Sequence, residues 1–354
     1  MNKYIISGIQ QMGVGVANFH EAWNWYITHF GMDIRIFEER AVAELMLPHT
    51  GGEKRERHAA LAFNMLGGGG FEIWQHTGKK PQPIDKPLSL GDLGINVTKM
   101  KCPDINKAYQ YQQNVATKIL GDVTSRPDGK KHFFVEDLYG NIFEFVETPE
   151  YFTKTKVPSG GVYGAIIGVR NIEESLVVYG EILGYQTLIY DIEQSFVDFT
   201  PLKGGGETFR RVLLTHPEPR KGAFAPILGS SEIELIEVKS RTPKDIFEGR
   251  MWGDPGFIHL CFDIQGMAAM RNTCQQKGFP FTVDSNNSFD MGEAAGHFSY
   301  IQAPEGTLIE FVETHKVPIM KKWNWFIDLT KRNPEKSLPR IILKALGLNR
   351  ISKV

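Results

Sequence analysis

The feature that most constrains this chain is a five-residue identity, EFVET, within two strand-like segments, Ile142 to Thr148 (IFEFVET) and Leu308 to Thr314 (LIEFVET). Each segment follows a turn whose glycine stands four residues before the first glutamate: Gly140 in DLYGN before Glu144, and Gly306 in APEGT before Glu310. Another strand-like run lies about equally far upstream of each, SLGDLGINV ending at Val97 and GFIHLCFDI ending at Ile264. Self-similarity at a fixed spacing marks a duplicated unit. The second and fourth quarters therefore read as copies.

The first and third quarters repeat the plan more loosely, as a strand, a helix and a glycine exit. Gln11 to Asp33 (QMGVGVANFHEAWNWYITHFGMD) and Gly164 to Gln186 (GAIIGVRNIEESLVVYGEILGYQ) open them. Apolar recurrence at three and four residues predicts the helices: Trp23, Tyr26, Ile27 and Phe30 in one, Leu176, Tyr179, Ile182 and Leu183 in the other. Asn18 and Asn171 suit the N-caps, Gly31 and Gly184 the stops. Both quarters close on a strand with an embedded glutamate, Glu72 in FEIWQ and Glu234 in EIELIEV. RHAALAFNM, KKHFFVE, RRVLLT and HFSYIQ supply middle strands, and Pro149 to Gly161 reads as the linker between halves. The run Gly67 to Gly70 reads as a hairpin loop, because no P-loop Lys-Ser/Thr follows it.

Strand side chains alternate between faces. Glu144 shares its face with Ile142 and Val146, and Glu310 with Leu308 and Val312, so each carboxylate sits in an apolar row. A buried, ionised carboxylate costs several kcal/mol unless paired, hydrogen-bonded or metal-bound. The opening strands offer matching polar groups: Gln11 beside Gly13 and Gly15, Asp92 beside Gly94 and Asn96, and His259 beside Phe257, Cys261 and Asp263.

A βαβββ unit repeated in pairs, with a polar residue on the opening strand and a glutamate on the closing one, resembles the vicinal oxygen chelate superfamily. Glyoxalase I, the extradiol ring-cleavage dioxygenases and the bleomycin-resistance proteins belong to it. The resemblance runs from Gly8 to Thr314 and implies an α+β fold of four βαβββ modules, paired in chain order into two glyoxalase-like domains with curved mixed sheets. Residues 1–150 would hold modules 8–76 and 88–148, residues 151–160 a linker, and residues 161–316 modules 161–240 and 255–316. The family's ligands stand five residues before a hydrophobic residue of each opening strand and at the closing-strand glutamate. Here those positions are Gln11, Asp92, Gly164 and His259, with Glu72, Glu144, Glu234 and Glu310.

Pairing in chain order implies one pocket of Gln11, Glu72, Asp92 and Glu144, suited to Mg²⁺, Mn²⁺ or Ca²⁺, and a second of Glu234, His259 and Glu310, suited to Fe²⁺, Mn²⁺, Ni²⁺ or Zn²⁺. The second is the expected seat of chemistry, with Glu234 or Glu310 moving a proton. Neither set completes the glyoxalase pattern of Gln or His, Glu, His, Glu, nor the extradiol pattern of two histidines and a glutamate. Trp74, His132 and His297 are the expected substrate-side residues, each also explicable as core or strand-end packing. The resemblance thus implies a metal-dependent dioxygenase or lyase/isomerase that binds substrate through two vicinal oxygens. The alternative is a metal-free small-molecule binding protein of the resistance type.

Composition bounds the partners. Hydrophobic residues make up 42%, charged residues 23%, and net charge is −1, which gives no general reason to expect nucleic acid. Three cysteines without a CxxC spacing suit a reducing compartment, and no signal-like or spanning apolar run is present, so a cytoplasmic protein with a small-molecule substrate is expected, a homodimer being compatible. Residues 317–354 read as a basic helical extension, with helices at about Trp323 to Lys331 and Pro339 to Leu346. From Lys316 onward there are ten Lys or Arg against two Asp or Glu, a net +8 against −9 for the preceding residues. Packing of this segment on the acidic body is favoured over peripheral membrane contact.

Overall fold

The computed structural model describes residues 3–84, 88–286, 289–290, 295–320 and 325–354. Four modules appear in order. The first is β1 (Ile5–Gly15), α1 (Phe19–Phe30), β2 (Ile34–Val42), β3 (Glu56–Phe63) and β4 (Gly70–His76). The second is β5 (Gly94–Cys102), α2 (Ile105–Asn114), β6 (Lys118–Ser125), β7 (Lys131–Glu136) and β8 (Ile142–Glu147). The third is β9 (Val162–Gly168), α3 (Ile172–Leu176), β10 (Thr187–Ser195), β11 (Thr208–Thr215), a short α4 (Ala225–Leu228) and β12 (Glu232–Val238). The fourth is β13 (Gly256–Gln265), α5 (Met267–Gln276), the short β14 (Val283–Asp284) and β15 (Phe289–Asp290), β16 (Ala295–Gln302) and β17 (Leu308–Thr314).

The caps act as the sequence suggests. The Asn18 side chain accepts from Glu21 N, Asn171 accepts from Glu174 N, and Gly31 takes the left-handed conformation (φ 66°) that ends α1. The α3 helix continues as a π-helical turn over Val177–Ile182.

Pairing in chain order is corrected by the sheet topology. One sheet runs β14-β16-β17-β13-β1-β4-β3-β2 and the other β10-β11-β12-β9-β5-β8-β7-β6. The first module thus shares a sheet with the fourth, through antiparallel β1 and β13, and the second with the third, through antiparallel β5 and β9. Within each module the opening strand runs parallel to the closing one, as β1 to β4 and β13 to β17.

The two sheets share one apolar core. Phe71 and Ile73 from β4, Phe143 and Phe145 from β8, Leu235 from β12 and Phe311 from β17 meet Trp23, Tyr26 and Phe30 of α1 there. The four-glycine run is neither a loose loop nor a cradle. Gly69 exchanges backbone hydrogen bonds with Val162 (2.9 and 2.7 Å), and a Cβ on Gly161 would lie 2.1 Å from the Gly69 carbonyl oxygen. Bare backbone here lets the first module cross the start of the third at close range.

Beyond β17 the expected first tail helix is replaced by a hairpin, β18 (Lys316–Met320) against β19 (Trp325–Asp328); Trp323 lies outside the described residues. β-branched and aromatic residues such as Val317, Phe326 and Ile327 favour the pleated form. The second helix is present as α6 (Arg340–Ala345). Leu329, Leu338 and Leu343 are buried against Ile34, Leu61, Phe63 and Met65, which supports the packing account of this segment. No helix among the described residues is long and apolar enough to cross a membrane. Fully burying a leucine contributes about 1.5–3 kcal/mol. Truncation after Lys316 is therefore expected to lower the thermal midpoint strongly or give insoluble protein. A truncated chain of unchanged melting temperature that has lost binding to anionic vesicles would restore the membrane account.

Candidate metal centre

The register of each sheet shows which positions correspond. On the opening strands, Gly13 lies beside Glu72, Lys99 beside Glu144, Ile166 beside Glu234 and Cys261 beside Glu310. Two residues earlier, on the same face, stand Gln11, Val97, Gly164 and His259. The second module's ligand position is therefore Val97. Asp92 was placed by ending the opening strand at Val97, whereas β5 runs on to Cys102, five residues further. Asp92 lies before β5 and is held in a turn, accepting from Arg241 (2.6 Å), Ser89 N (3.0 Å) and Lys244 N (3.1 Å).

Because the first and fourth modules share a sheet, Gln11, Glu72, His259 and Glu310 converge. Neighbours of the glutamates face the core (Phe71 and Ile73, Ile309 and Phe311), so alternation turns both carboxylates to the opposite, concave face. His259 Nε2 lies 3.1 Å from Glu72 Oε2 and 3.2 Å from Glu310 Oε2, and Gln11 Nε2 lies 3.4 and 3.3 Å from the same oxygens. Ligand atoms of Glu72, His259 and Glu310 all fall within 4.8 Å of one another. All four residues are buried, from 0% exposed for His259 to 8% for Glu72. Gly13 makes room for the imidazole: a Cβ there would lie 2.4 Å from His259 Cε1.

This cluster has the marks of a cation site. Two carboxylates face each other away from water, and neither ring nitrogen of His259 has an aligned hydrogen-bond partner despite the short contacts. Gln11 Oε1 is also buried without a partner, and turning the amide over brings that oxygen to the common point. Burial pushes the Glu310 carboxyl up to about 7, with Glu72 adding to the rise and His259 opposing it. Burial disfavours the charged His259 imidazole, yet Glu310 and Glu72 together hold its pKa above the ordinary value. One imidazole, two carboxylates and an amide oxygen fit a first-row divalent ion.

Aromatic side chains that the sequence reading missed wall the cluster. Tyr300 lies across from Glu310 on β16 and meets the His259 ring edge-on at 5.6 Å. Trp252, from the segment between the third and fourth modules, lies nearly parallel to the His259 ring at 6.2 Å and edge-on to Trp74 at 4.3 Å. Trp74 thus stands on the site face as expected, and His76 bonds the Trp252 carbonyl at 3.0 Å. A register shift between Gly13 and Val14 turns Phe257 into the core and Ile258 onto the concave side, so Phe257 does not share the face of His259. His297 is also off the site: it is three residues from Tyr300, on the opposite face, and pairs with Asp284 at 2.6 Å.

Glu144 and Glu234 lie in the other sheet and do not join His259. There Lys99 reaches from β5 into the position matching Gly13 and Cys261, with Nζ 2.6 Å from Glu234, 2.8 Å from Glu232 and 3.5 Å from Glu144. Arg211 adds bonds to Glu234 (2.6 Å) and Asp198 (2.8 Å), Arg126 binds Glu232, and His132 Nδ1 lies 2.7 Å from Glu144. Lys99, Glu144, Glu232, Glu234, Arg211 and His132 are each 0% exposed. Burial opposes ionisation of Glu232 and Glu234, but Lys99 and Arg126 hold both far below the usual carboxylate range, helped by Lys130 at Glu232 and by Arg211 at Glu234. Fixed side-chain cations compensate these carboxylates, and Gly164, beside Lys99, adds no side chain. The expected pockets of Gln11, Glu72, Asp92 and Glu144 and of Glu234, His259 and Glu310 are corrected to one convergent set in one sheet and one ionic cluster in the other.

No protein-family model matches the sequence, and no curated protein matches it. Among solved structures the chain is similar to glyoxalase I from Zea mays, with TM-score 0.54 and 13% identity, covering 88% of this chain and 92% of that one. It is also similar to a "putative dioxygenase" from Bacillus subtilis subsp. subtilis str. 168, with TM-score 0.55 and 14% identity, covering 87% and 86%. At such identities the likeness is one of architecture. Four βαβββ modules in two curved sheets, matched along most of both structures, give this protein the fold of the vicinal oxygen chelate superfamily.

Proposed function

We propose that the first sheet holds one divalent metal ion through Gln11, Glu72, His259 and Glu310, and that the protein is a metal-dependent enzyme whose substrate reaches the ion through two neighbouring oxygens. The reading is carried by the convergence of four ligand-type side chains on one buried point, with nitrogens of His259 and an oxygen of Gln11 left unpartnered. Zn²⁺, Ni²⁺, Mn²⁺ and Fe²⁺ suit the donor set. In chain order the ligands are Gln, Glu, His and Glu, the glyoxalase pattern rather than the extradiol one, which favours lyase or isomerase chemistry over ring cleavage. Asp92 and Gly164, the positions that kept the expected pockets from completing the glyoxalase pattern, lie outside this set.

The ion supplies Lewis-acid polarisation of the two substrate oxygens. Glu310 is the group assigned to move a proton at its carboxylate, which is buried at the point where the ligand side chains converge. Trp74, Trp252 and Tyr300 keep water from the site.

The test is elemental analysis of gently purified protein with calorimetric titration of Ni²⁺ and Zn²⁺. Wild type is expected to take one equivalent per chain. His259→Ala is expected to weaken that affinity at least about a hundredfold, because a ligand is lost outright and outer contacts alone already govern ten- to hundredfold effects. Glu234→Gln should leave the stoichiometry at one. Absence of tight uptake by wild type, or uptake unaffected by His259→Ala, overturns the proposal.

A further inference from the structure

A cavity of about 650 Å³ opens where the linker after β8, the connection from β11 to β12 and the start of α6 meet. None of Gln11, Glu72, His259 and Glu310 lines it, and Lys101, the most deeply buried charged residue on its lining, projects from β5 in the other sheet. Phe152, Ala225, Pro226 and Ile227 give it an apolar wall. Its cations are short of acceptors. Lys101 is 2% exposed, and among the described residues its ammonium reaches one oxygen, that of Glu150 at 3.2 Å, with the Tyr163 ring at 5.7 Å. An ammonium carries more than one donor, so part of its hydrogen-bonding capacity is unused. The same Glu150 oxygen is already shared, accepting from Ser230 N at 3.1 Å and Ser230 Oγ at 2.6 Å. Burial disfavours the charged Lys101 more than Glu150 supports it, so its pKa falls below the ordinary lysine value. Gly229, at φ 67°, keeps one flank of the ammonium clear, since a Cβ there would lie 2.5 Å from Nζ.

Arg220 and Arg340 line the same cavity, and among the described residues neither meets a carboxylate: Arg220 donates to the Leu183 carbonyl at 3.0 Å and Arg340 to the Phe152 carbonyl at 2.7 Å. The buried Arg220 Nε has no aligned acceptor. His216 adds no charge, because burial and then Arg220 lower its pKa, and its ring nitrogens are taken by the Glu218 carbonyl (2.7 Å) and Ser231 N (3.3 Å). Lys101, Arg220 and Arg340 therefore stand against Glu150 and Glu218, an excess of one positive charge on the lining.

We propose that this cavity is a second small-molecule site, separate from the metal centre, for a monoanionic carboxylate with an apolar body: Lys101, Arg220 and Arg340 take the carboxylate, and Phe152, Pro226 and Ile227 receive the body. Small-molecule sites span about 300–1,000 Å³ and combine apolar walls with a few convergent polar groups, as here. A single negative charge matches the excess, whereas a dianion would leave one unbalanced. Nothing in this site depends on an ion in the first sheet.

The probes 1-naphthoate and 1-naphthylmethanol share a ring system and differ in charge. Calorimetry on the full chain in EDTA, which keeps divalent ions out of the first sheet, is expected to give one equivalent of 1-naphthoate, bound at least about tenfold more tightly than the alcohol, as charge-assisted bonds require. The His259→Ala chain should bind it with unchanged affinity. Lys101→Met should weaken 1-naphthoate about tenfold and leave the alcohol unaffected. Arg340→Gln, at an exposed residue where the fold tolerates change, should weaken it several-fold at an unaltered melting temperature. No saturable binding of 1-naphthoate, equal affinity for acid and alcohol, or binding indifferent to both substitutions overturns the proposal. Loss of binding in His259→Ala overturns it too, because the carboxylate would then sit at the metal centre.

Discussion

Lys99→Met is expected to lower the free energy of unfolding by about 3–5 kcal/mol, the cost of leaving a buried charge without its partner. The ammonium touches three glutamates at once, and no water reaches any of them. Methionine fills much of the space but supplies no charge, so the remaining cations, Arg126 and Arg211, face an excess of buried carboxylate. Urea unfolding at neutral pH reads the effect. Combining Lys99→Met with Glu234→Gln removes one of the orphaned charges, so the double variant should recover part of the loss, a coupling expected of residues in one network. A Lys99→Met protein as stable as wild type would show that the cluster does not hold this sheet together.

Asp263→Asn is expected to stabilise the protein above pH 7. The Asp263 carboxyl is 1% exposed, and burial, opposed by the nearby Ser7 hydroxyl and reinforced by Glu313, pushes its pKa from the ordinary 3.8 up to about 7. The folded form therefore holds the proton more tightly than the unfolded chain does. Its contribution to stability is fully present below about pH 4 and is lost progressively as pH rises to about 7, after which it is constant. A shift of three units corresponds to about 4 kcal/mol at most. Asparagine cannot ionise, so the difference between variant and wild type should open between pH 4 and pH 7 and then level off. Parallel stability curves for the two proteins across that range would show that Asp263 is already ionised in the fold.

Much of this architecture could be read from the chain because its signals are local. The EFVET repeat, the glutamates set into apolar strands, the asparagine caps and the glycine stops each depend on residues a few positions apart; strands Ile142–Glu147 and Leu308–Thr314, the caps Asn18 and Asn171 and the stop Gly31 stand where they were placed. Pairing of modules is a different kind of information. Whether β1 bonds to β5 or to β13 is decided by backbone groups and by the fit of Gly13 against His259, which no window of sequence displays. The Asp92 error came from taking Val97 as the end of the opening strand, when β5 continues to Cys102. Lys99 carried a usable signal: a lysine alternating with Val97 on a buried strand demands counter-charges, and Glu144, Glu232 and Glu234 were available to supply them. In the tail, aromatic spacing suited either a helix or a hairpin, and a weak local preference could not decide between them.

Partnership between the first and fourth modules also bears on the order in which the chain can assemble. Strands β5 to β12 are contiguous in sequence and can complete their sheet as soon as they have been synthesised, whereas β1 must wait for β13, roughly 250 residues later. Throughout that interval the edge of β1 that carries Gln11 is open to wrong partners. The glycine crossing between Gly69 and Val162 ties the waiting module to the half that forms early. Such a tether would keep a nascent edge close to its scaffold until its true neighbour leaves the ribosome.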